Sequence, residues 1–250
     1  MVMTSRSPDP DALPRYLASL WGRGDDAPRR GPKPTLTIHD IARAAVAIAD
    51  EHGWEAVSMK AIAESLGMTT MSLYRYVESK DDVIDVMVDE AYGPSHPMPG
   101  ETWQERIRNW AYTVTDRMRA RPWLAVVPLS RPPVGPNTLS WTESGVRAFD
   151  GTPLTGQQKM NALLLVDGFV RHHVRQSIQM GMLDAKPDGP AYESMLAVLV
   201  GPDTHPGITA AIAGMSPWDA DDDFFTEQLE FGLAVLVDGL AALIDGKALR

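Results

Sequence analysis

The chain has 250 residues, no cysteine and a formal net charge of −10 at pH 7. The lack of cysteine excludes disulfides, thiolate nucleophiles and thiolate metal sites, and the acidic balance excludes a broadly basic surface that coats nucleic acid. No apolar run approaches the ~20 residues that span a bilayer, and the N-terminus lacks the pattern of a secretory signal, so the sequence predicts a cytoplasmic protein without a membrane partner.

Residues 1–36 are rich in proline, glycine and charge around one short apolar patch that begins at Leu13. This composition predicts a mostly flexible extension with at most a helical turn or two. Within it, Arg29, Arg30 and Lys33 resemble a basic arm that can enter a minor groove. A solvated linker is an equal alternative for the same run.

Residues 37–92 predict four helices, because apolar residues recur at spacings of three and four between residues that cap or end helices. The first spans about residues 38–52, and the third follows the second after a tight turn. The predicted boundaries are Thr37 with Asp40 and Gly53 for the first helix, Ser58 and Gly67 for the second, Thr69 or Thr70 and Val77 for the third, and Ser79 with Asp82 at the start of the fourth.

The second and third of these helices have the anatomy of a helix-turn-helix, with small Ala63 at the crossing and Gly67 in the turn. Four apolar residues hold the pair together: Ile62, Leu66, Leu73 and Val77. The opposite face carries hydroxyls and a guanidinium, which suit base edges and phosphates; these are Thr69, Thr70, Ser72, Tyr74, Arg75 and Tyr76. Lys80, at the start of the fourth helix, suits a further phosphate.

These segments resemble the N-terminal domain of the tetracycline-repressor (TetR) family over about residues 37–92. The resemblance depends on Leu73 and Tyr74, an aromatic one residue later, and Lys80. It implies phosphate contacts by Tyr74 and Lys80, and a DNA-facing position for Lys60, Thr69, Thr70, Arg75 and Tyr76. The family often has His and Phe where this chain has Tyr76 and Val77, so base preference is not carried over.

The charge of residues 37–80 limits how this segment can bind DNA. Its basic residues, Arg43, Lys60, Arg75 and Lys80, are outnumbered by six acidic ones. Affinity must therefore come from a few placed groups, from helix N-termini and from a second copy of the chain. The alternative is a helical ligand-binding or scaffolding protein without a DNA function.

A proline and glycine cluster at residues 93–100 predicts a boundary, followed by a second helical domain over residues 101–250. Its predicted helices span about 101–121, 123–128, 137–149, 155–181, 189–200 and 222–245, so the expected fold class is all-α. Helices 155–181 and 222–245 are apolar on more than one side, as expected of helices packed on more than one side.

In the TetR family the two long C-terminal helices form a four-helix dimer interface, so the resemblance implies a homodimer. The expected interface residues are Leu163, Val170, Leu233, Leu236 and Leu240, with packing inside the protomer as the alternative. A two-fold dimer also multiplies specificity, because one short recognition helix reads few base pairs of a palindromic operator.

Aromatic and thioether side chains of the second domain suit an apolar ligand pocket, although such residues are more often plain core. The candidates are Trp110, Met118, Trp141, Met160 and Phe169, with polar groups from His172, His173 and Gln176. Too few ligands converge here for a metal, and no cofactor is expected. The resemblance implies a repressor that an unknown small-molecule effector releases from double-stranded DNA.

Catalysis is not expected from this chain. Asp167 and His172 lie about 140° apart around their helix, so they cannot easily form an acid–base pair. No nucleophile with an adjacent base is readable elsewhere in the sequence.

Overall fold

The computed structural model describes residues 13–23, 36–183, 195–196, 198–214 and 223–246. In these ranges every regular element is helical and no strand occurs, which confirms the predicted all-α class. Contacts between Cα atoms divide the chain into two compact units, Met1–Asp167 and Gly168–Arg250. Within the described ranges, no helix has both the length and the apolarity needed to cross a bilayer.

The first unit begins with α1 (Arg15–Leu20), α2 (Ile38–His52), α3 (Met59–Ser65), α4 (Thr70–Leu73) and α5 (Lys80–Tyr92). It continues with α6 (Trp103–Ala120), α7 (Trp123–Val126) and α8 (Pro136–Arg147). Helix α9 (Gly156–Gln179) runs from the first unit into the second, which also holds α10 (Pro206–Ala213) and α11 (Phe224–Ile244). Because α5 packs against α8, segment 93–100 lies inside the first unit.

Local capping sets the helix boundaries of residues 37–92. Thr37 with Asp40 and Ser79 with Asp82 form the two predicted capping boxes, and Ser58 caps α3 by accepting from Ala61 N. The α4 helix is shorter than predicted, since it ends at Leu73 and the chain continues to Val77 as hydrogen-bonded turns.

Two differences from the predicted helices lie in the second domain. Helix α10, which begins with Pro206 at its first turn, was not expected. The helix predicted at 189–200 falls largely outside the described residues, because only 195–196 and 198–200 of that range are described.

Within the predicted extension, the apolar patch that begins at Leu13 forms the helical turn or two that its sequence allows. Helix α1 buries Tyr16, Leu17 and Leu20 in the first unit. The Tyr16 hydroxyl donates to Asp85 Oδ2 at 2.7 Å, and Trp21 Nε1 donates to the Val134 carbonyl at 3.0 Å. The basic residues Arg29, Arg30 and Lys33 lie outside the described residues.

Candidate DNA-binding surface and ligand groove

Helices α3 and α4 form a closed helix-turn-helix. Of the four residues predicted to hold the pair together, Ile62, Leu73 and Val77 are fully buried and Leu66 is half-buried, and Ala63 at the crossing is 1% exposed. Gly67 adopts φ 64° in the turn, a left-handed conformation that favours glycine. Packing on one side and exposure on the other fix which face α4 offers to a partner.

The outer face of this unit presents the residues predicted from the sequence. Lys60, Thr69, Tyr74, Arg75 and Lys80 are exposed, while the other three predicted contacts, Thr70, Ser72 and Tyr76, are half-buried. The Thr69 hydroxyl caps α4 by accepting from Ser72 N at 3.2 Å, and it lies 3.0 Å from the Ser72 hydroxyl. All eight predicted residues are therefore at least partly exposed, and the Thr69 hydroxyl also caps the start of α4.

The two lysines of this surface each have one close neighbour. Lys60 Nζ lies 3.7 Å from Glu64 Oε1, one turn along α3. Lys80 Nζ lies 5.4 Å from the centre of the Trp54 ring, within cation–π range. Trp54 was not among the predicted site residues, because its position next to Lys80 arises only when α2 and α5 pack together.

Met71 is an exposed apolar residue of α4 that was not among the predicted site residues. Its side chain is 76% exposed, although its neighbours on the outer face are polar. The signal was present, since Met71 precedes buried Leu73 by two residues and so lies about 200° around the helix from it. Apolar side chains in a major groove contact thymine methyl groups.

Two acidic residues of α2 are paired inside the unit. Asp50 at the end of α2 accepts from Arg121 Nε at 3.1 Å and from Trp123 Nε1 at 2.7 Å. Asp40 accepts from Arg43 Nη2 at 2.6 Å, and its cap on Thr37 holds the pKa of its carboxyl below the usual value. Part of the negative charge of this segment is therefore locally compensated.

Comparison with known proteins identifies both halves of the chain. The family model for "Bacterial regulatory proteins, tetR family" matches residues 41–87, and the model for "Tetracyclin repressor-like, C-terminal domain" matches residues 96–244. The chain belongs to the TetR family. A curated TetR-type relative, the HTH-type transcriptional repressor DrrR1 of Streptomyces coeruleorubidus, is 33% identical over 240 residues, which are 91% of this chain and 85% of that protein.

Solved structures of other TetR-family proteins share this fold. Apo ActR from Streptomyces coelicolor superposes with a TM-score of 0.70 at 22% identity and covers 87% of this chain and 100% of its own. The complex of ActR with actinorhodin gives a TM-score of 0.67 at 23% identity, covering 84% and 98%. At this level of identity the likeness establishes the fold alone.

The second unit of this TetR-family chain contains an open groove of about 560 Å³ between the end of α9 and the start of α11. Phe169, His172, His173 and Gln176, four of the eight predicted ligand residues, line it from α9. From α11 it is lined by Phe224, Glu227, Gln228, Phe231 and Gly232. Aromatic rings therefore lie beside amide, carboxylate and imidazole groups.

Close packing between α9 and α11 shapes the groove. A Cβ atom on Gly232 would lie 2.1 Å from Cζ of Phe169, so only glycine admits this ring. His173 Nε2 lies 3.0 Å from the Phe225 carbonyl, and the two rings are 4.5 Å apart. Because a carbonyl only accepts, Nε2 carries the proton, and burial lowers the pKa of His173, so its imidazole is neutral at pH 7.

The other predicted ligand residues do not line this groove. Trp110, Met118 and Trp141 are core residues of the first unit, each at most 5% exposed. The indole N–H of Trp110 donates to the Trp141 carbonyl, and that of Trp141 donates to the Gly93 carbonyl, both at 2.9 Å. Met160 is 39% exposed on α9. The simpler interpretation, plain core, therefore describes the two tryptophans and Met118.

The structure also corrects the expected dimer residues. Leu163, Val170, Leu233 and Leu240 are buried in the single chain, and Leu236 is half-buried. The large apolar residues left exposed on the two long helices are different ones: Met160, Leu164, Leu165, Phe231, Val235 and Leu243. The sequence of a helix that is apolar on two sides does not reveal which side packs inside its own protomer. The predicted dimer residues lie mainly on the side that packs inside the protomer.

Proposed function

We propose that this TetR-family chain is a homodimeric repressor that binds a palindromic operator and is released from it by a small, largely apolar ligand. The observation that carries the DNA function is the outer face of α4, where hydroxyls, Arg75 and Met71 surround a fully packed helix-turn-helix. The relation to DrrR1, a named repressor, over most of both chains supports repression.

The chemistry of the surface divides into two tasks. Tyr74 and Lys80, together with the free N–H groups at the start of α5, hold operator phosphates and fix the orientation of the domain. Thr69, Thr70, Ser72, Arg75 and Tyr76 lie toward base edges in the major groove. A dimer places two such surfaces on half-sites about one helical turn apart.

Selection of binding sites from random DNA tests the DNA function. Wild-type protein should enrich a palindrome, and Tyr74→Ala should bind the enriched site about tenfold or more weakly because it loses a phosphate contact in each half-site. Tyr112→Ala, at a half-buried position on α6, is the matched control. If wild-type protein enriches no sequence, the chain is instead a ligand-binding or scaffolding protein.

Dimerisation through α9 and α11 follows from their exposed apolar residues. Leu164 and Val235 are 63% and 55% exposed, and large apolar exposure on a helix marks a contact surface. Val235→Glu should give a monomer in analytical ultracentrifugation, because a carboxylate would be buried without a partner. Leu139→Glu, at an exposed position on α8, should remain a dimer.

The groove between α9 and α11 is the proposed ligand site. Its aromatic residues suit a planar apolar molecule, and His172 and Gln176 offer hydrogen bonds at its edge. The solved complexes of ActR with small molecules show that this fold can hold them. Planar aromatic compounds that release operator DNA from wild-type protein should lose potency against Phe169→Ala, while compounds with unchanged potency would place the ligand elsewhere.

A further inference from the structure

Arg131, in the segment between α7 and α8, binds two carboxylates of α5. Its Nη2 donates to Asp82 Oδ1 and its Nε donates to Asp85 Oδ2, both at 2.6 Å. The guanidinium also lies 5.3 Å from the centre of the Tyr16 ring, whose hydroxyl donates to the same Asp85 oxygen. We call these four residues, Tyr16, Asp82, Asp85 and Arg131, the Arg131 clasp.

Asp82 connects the clasp to the start of α5. Its second oxygen, Oδ2, accepts from Glu78 N at 2.9 Å and from Ser79 N at 3.1 Å. The Ser79 hydroxyl in turn accepts from Asp82 N at 3.1 Å. The carboxylate that Arg131 holds is therefore the one that shapes the turn immediately before Lys80.

The two carboxylates of the clasp are shielded from water. The side chains of Asp82 and Asp85 are 9% and 16% exposed, so their charges depend on Arg131 for compensation. Burial raises the pKa of Asp82, but hydrogen bonds from Arg131, Glu78 and Ser79 outweigh it and hold the pKa below the usual value. Asp82 is thus a fixed negative charge at the helix end that faces DNA in the proposed function.

We propose that Arg131 is a positioning residue for operator binding, a role that rests on the proposed DNA function. It holds Asp82, so that the first turn of α5 presents Lys80 and its free N–H groups to a phosphate. It also neutralises carboxylates that would otherwise repel that phosphate.

This role connects the two family domains. Arg131 lies in the region matched by the C-terminal family model, whereas Asp82 and Asp85 lie in the region matched by the N-terminal one. The segment that carries Arg131 is further held by the bond from Trp21 to Val134. Withdrawal of Arg131 with its segment uncovers negative charge at the phosphate contact, and this is a direct electrostatic route to release of the operator.

The test measures operator affinity against salt concentration for Arg131→Gln and for a matched control, Arg121→Gln. Arg121 also forms an ion pair, with Asp50, and it is similarly exposed, at 33% against 38% for Arg131. Arg131→Gln should bind about tenfold or more weakly, with a salt slope shallower by about two for a dimer that loses one phosphate contact in each protomer. Arg121→Gln should keep the wild-type affinity and slope.

A second variant guards against simple loss of folding. Arg131→Lys keeps the charge but cannot hold both carboxylates with a planar fork. It should bind with an affinity between wild type and Arg131→Gln. If Arg131 had a purely structural role, its variants would unfold at a lower temperature but would keep the wild-type salt slope of operator binding. Wild-type slopes for both Arg131 variants, with the palindrome still selected by wild-type protein, would overturn this inference while leaving the proposed function intact.

Discussion

Exposed Met71 offers the simplest means of asking which base α4 reads. Its side chain is 76% exposed and stands among hydroxyls, so no packing in the described protomer requires an apolar residue there. Contact with a thymine methyl group buries part of this side chain and favours thymine at one position of each half-site.

Replacement of single thymines in the selected operator by uracil, which lacks the methyl group, tests this contact. At one position per half-site, uracil should weaken binding of wild-type protein several-fold, since about 1 kcal/mol is expected for one buried methyl group. The same replacement should leave Met71→Ala unaffected, and Met180→Ala, exposed on the described chain beyond α9, should behave as wild type. Equal sensitivity of wild type and Met71→Ala would contradict the contact.

At the scale of helices, Asp89 of α5 caps a helix from a distance. Helix α8 has no side-chain cap of its own at Gly135. Instead Asp89 Oδ1 accepts from Thr138 N at 2.8 Å and from the Thr138 hydroxyl at 3.1 Å. Burial raises the pKa of Asp89, and Oδ2 is buried without a hydrogen-bond partner. The carboxyl therefore supports α8 at the cost of a poorly solvated charge.

Two substitutions of Asp89 should distinguish the stability that its cap on α8 contributes from the stability that its charge costs. Asp89→Ala should lower the free energy of unfolding by about 1–3 kcal/mol, because Thr138 loses its acceptor in the core. Asp89→Asn keeps an acceptor without the charge. A raised pKa favours the protonated form in the folded state, so wild type should lose stability relative to Asp89→Asn as pH rises above the ordinary range of aspartate, about 4.

Urea unfolding of wild type, Asp89→Ala and Asp89→Asn should be measured from about pH 4, near the ordinary pKa of aspartate, to about pH 8. It gives both the loss of the cap and the penalty of the charge. A constant difference between wild type and Asp89→Asn over that range would show that the charge carries no penalty. Asp40→Asn removes a carboxyl whose pKa is lowered, so its stability relative to wild type should stay constant from about pH 4 to about pH 8, and wild type should lose its advantage only below about pH 4, as Asp40 becomes protonated.

How far the sequence predicts the structure differs between helices. The ends of α2, α3 and α5 were predictable, because Thr37, Ser58 and Ser79 act on backbone groups only three residues away. The Arg131 clasp was not predictable, since Asp85 and Asp82 lie 46 and 49 residues before Arg131 along the chain. For the same reason, periodicity marked α9 and α11 as apolar on two sides but did not show which side the protomer covers.

At the scale of the whole molecule, a net charge of −10 makes specificity depend on local groups rather than on general attraction to DNA. Glu64 exemplifies this, since it lies 3.7 Å from Lys60, a residue that is predicted to face DNA. In the proposed function Glu64 both pairs with this lysine and repels phosphate.

Glu64→Gln should therefore strengthen binding to random DNA and to the operator by similar factors of a few-fold, because phosphate attraction is independent of sequence. Competition binding with random DNA measures the ratio of operator affinity to random-DNA affinity. This ratio should stay constant or fall in the variant. Glu143→Gln, exposed on α8, makes the same change in net charge and should alter neither affinity. A rise in operator affinity alone would mean that Glu64 takes part in base selection.

The docking of α1 has a consequence for the basic residues at 29, 30 and 33. Because Tyr16 and Trp21 fix α1 to the first unit, and α2 belongs to the same unit, segment 24–35 is attached to that unit at both ends. The three basic residues are thus joined covalently to helices of one unit on both sides, and a single peptide-bond cleavage in this segment would leave α1 held to that unit by non-covalent contacts alone.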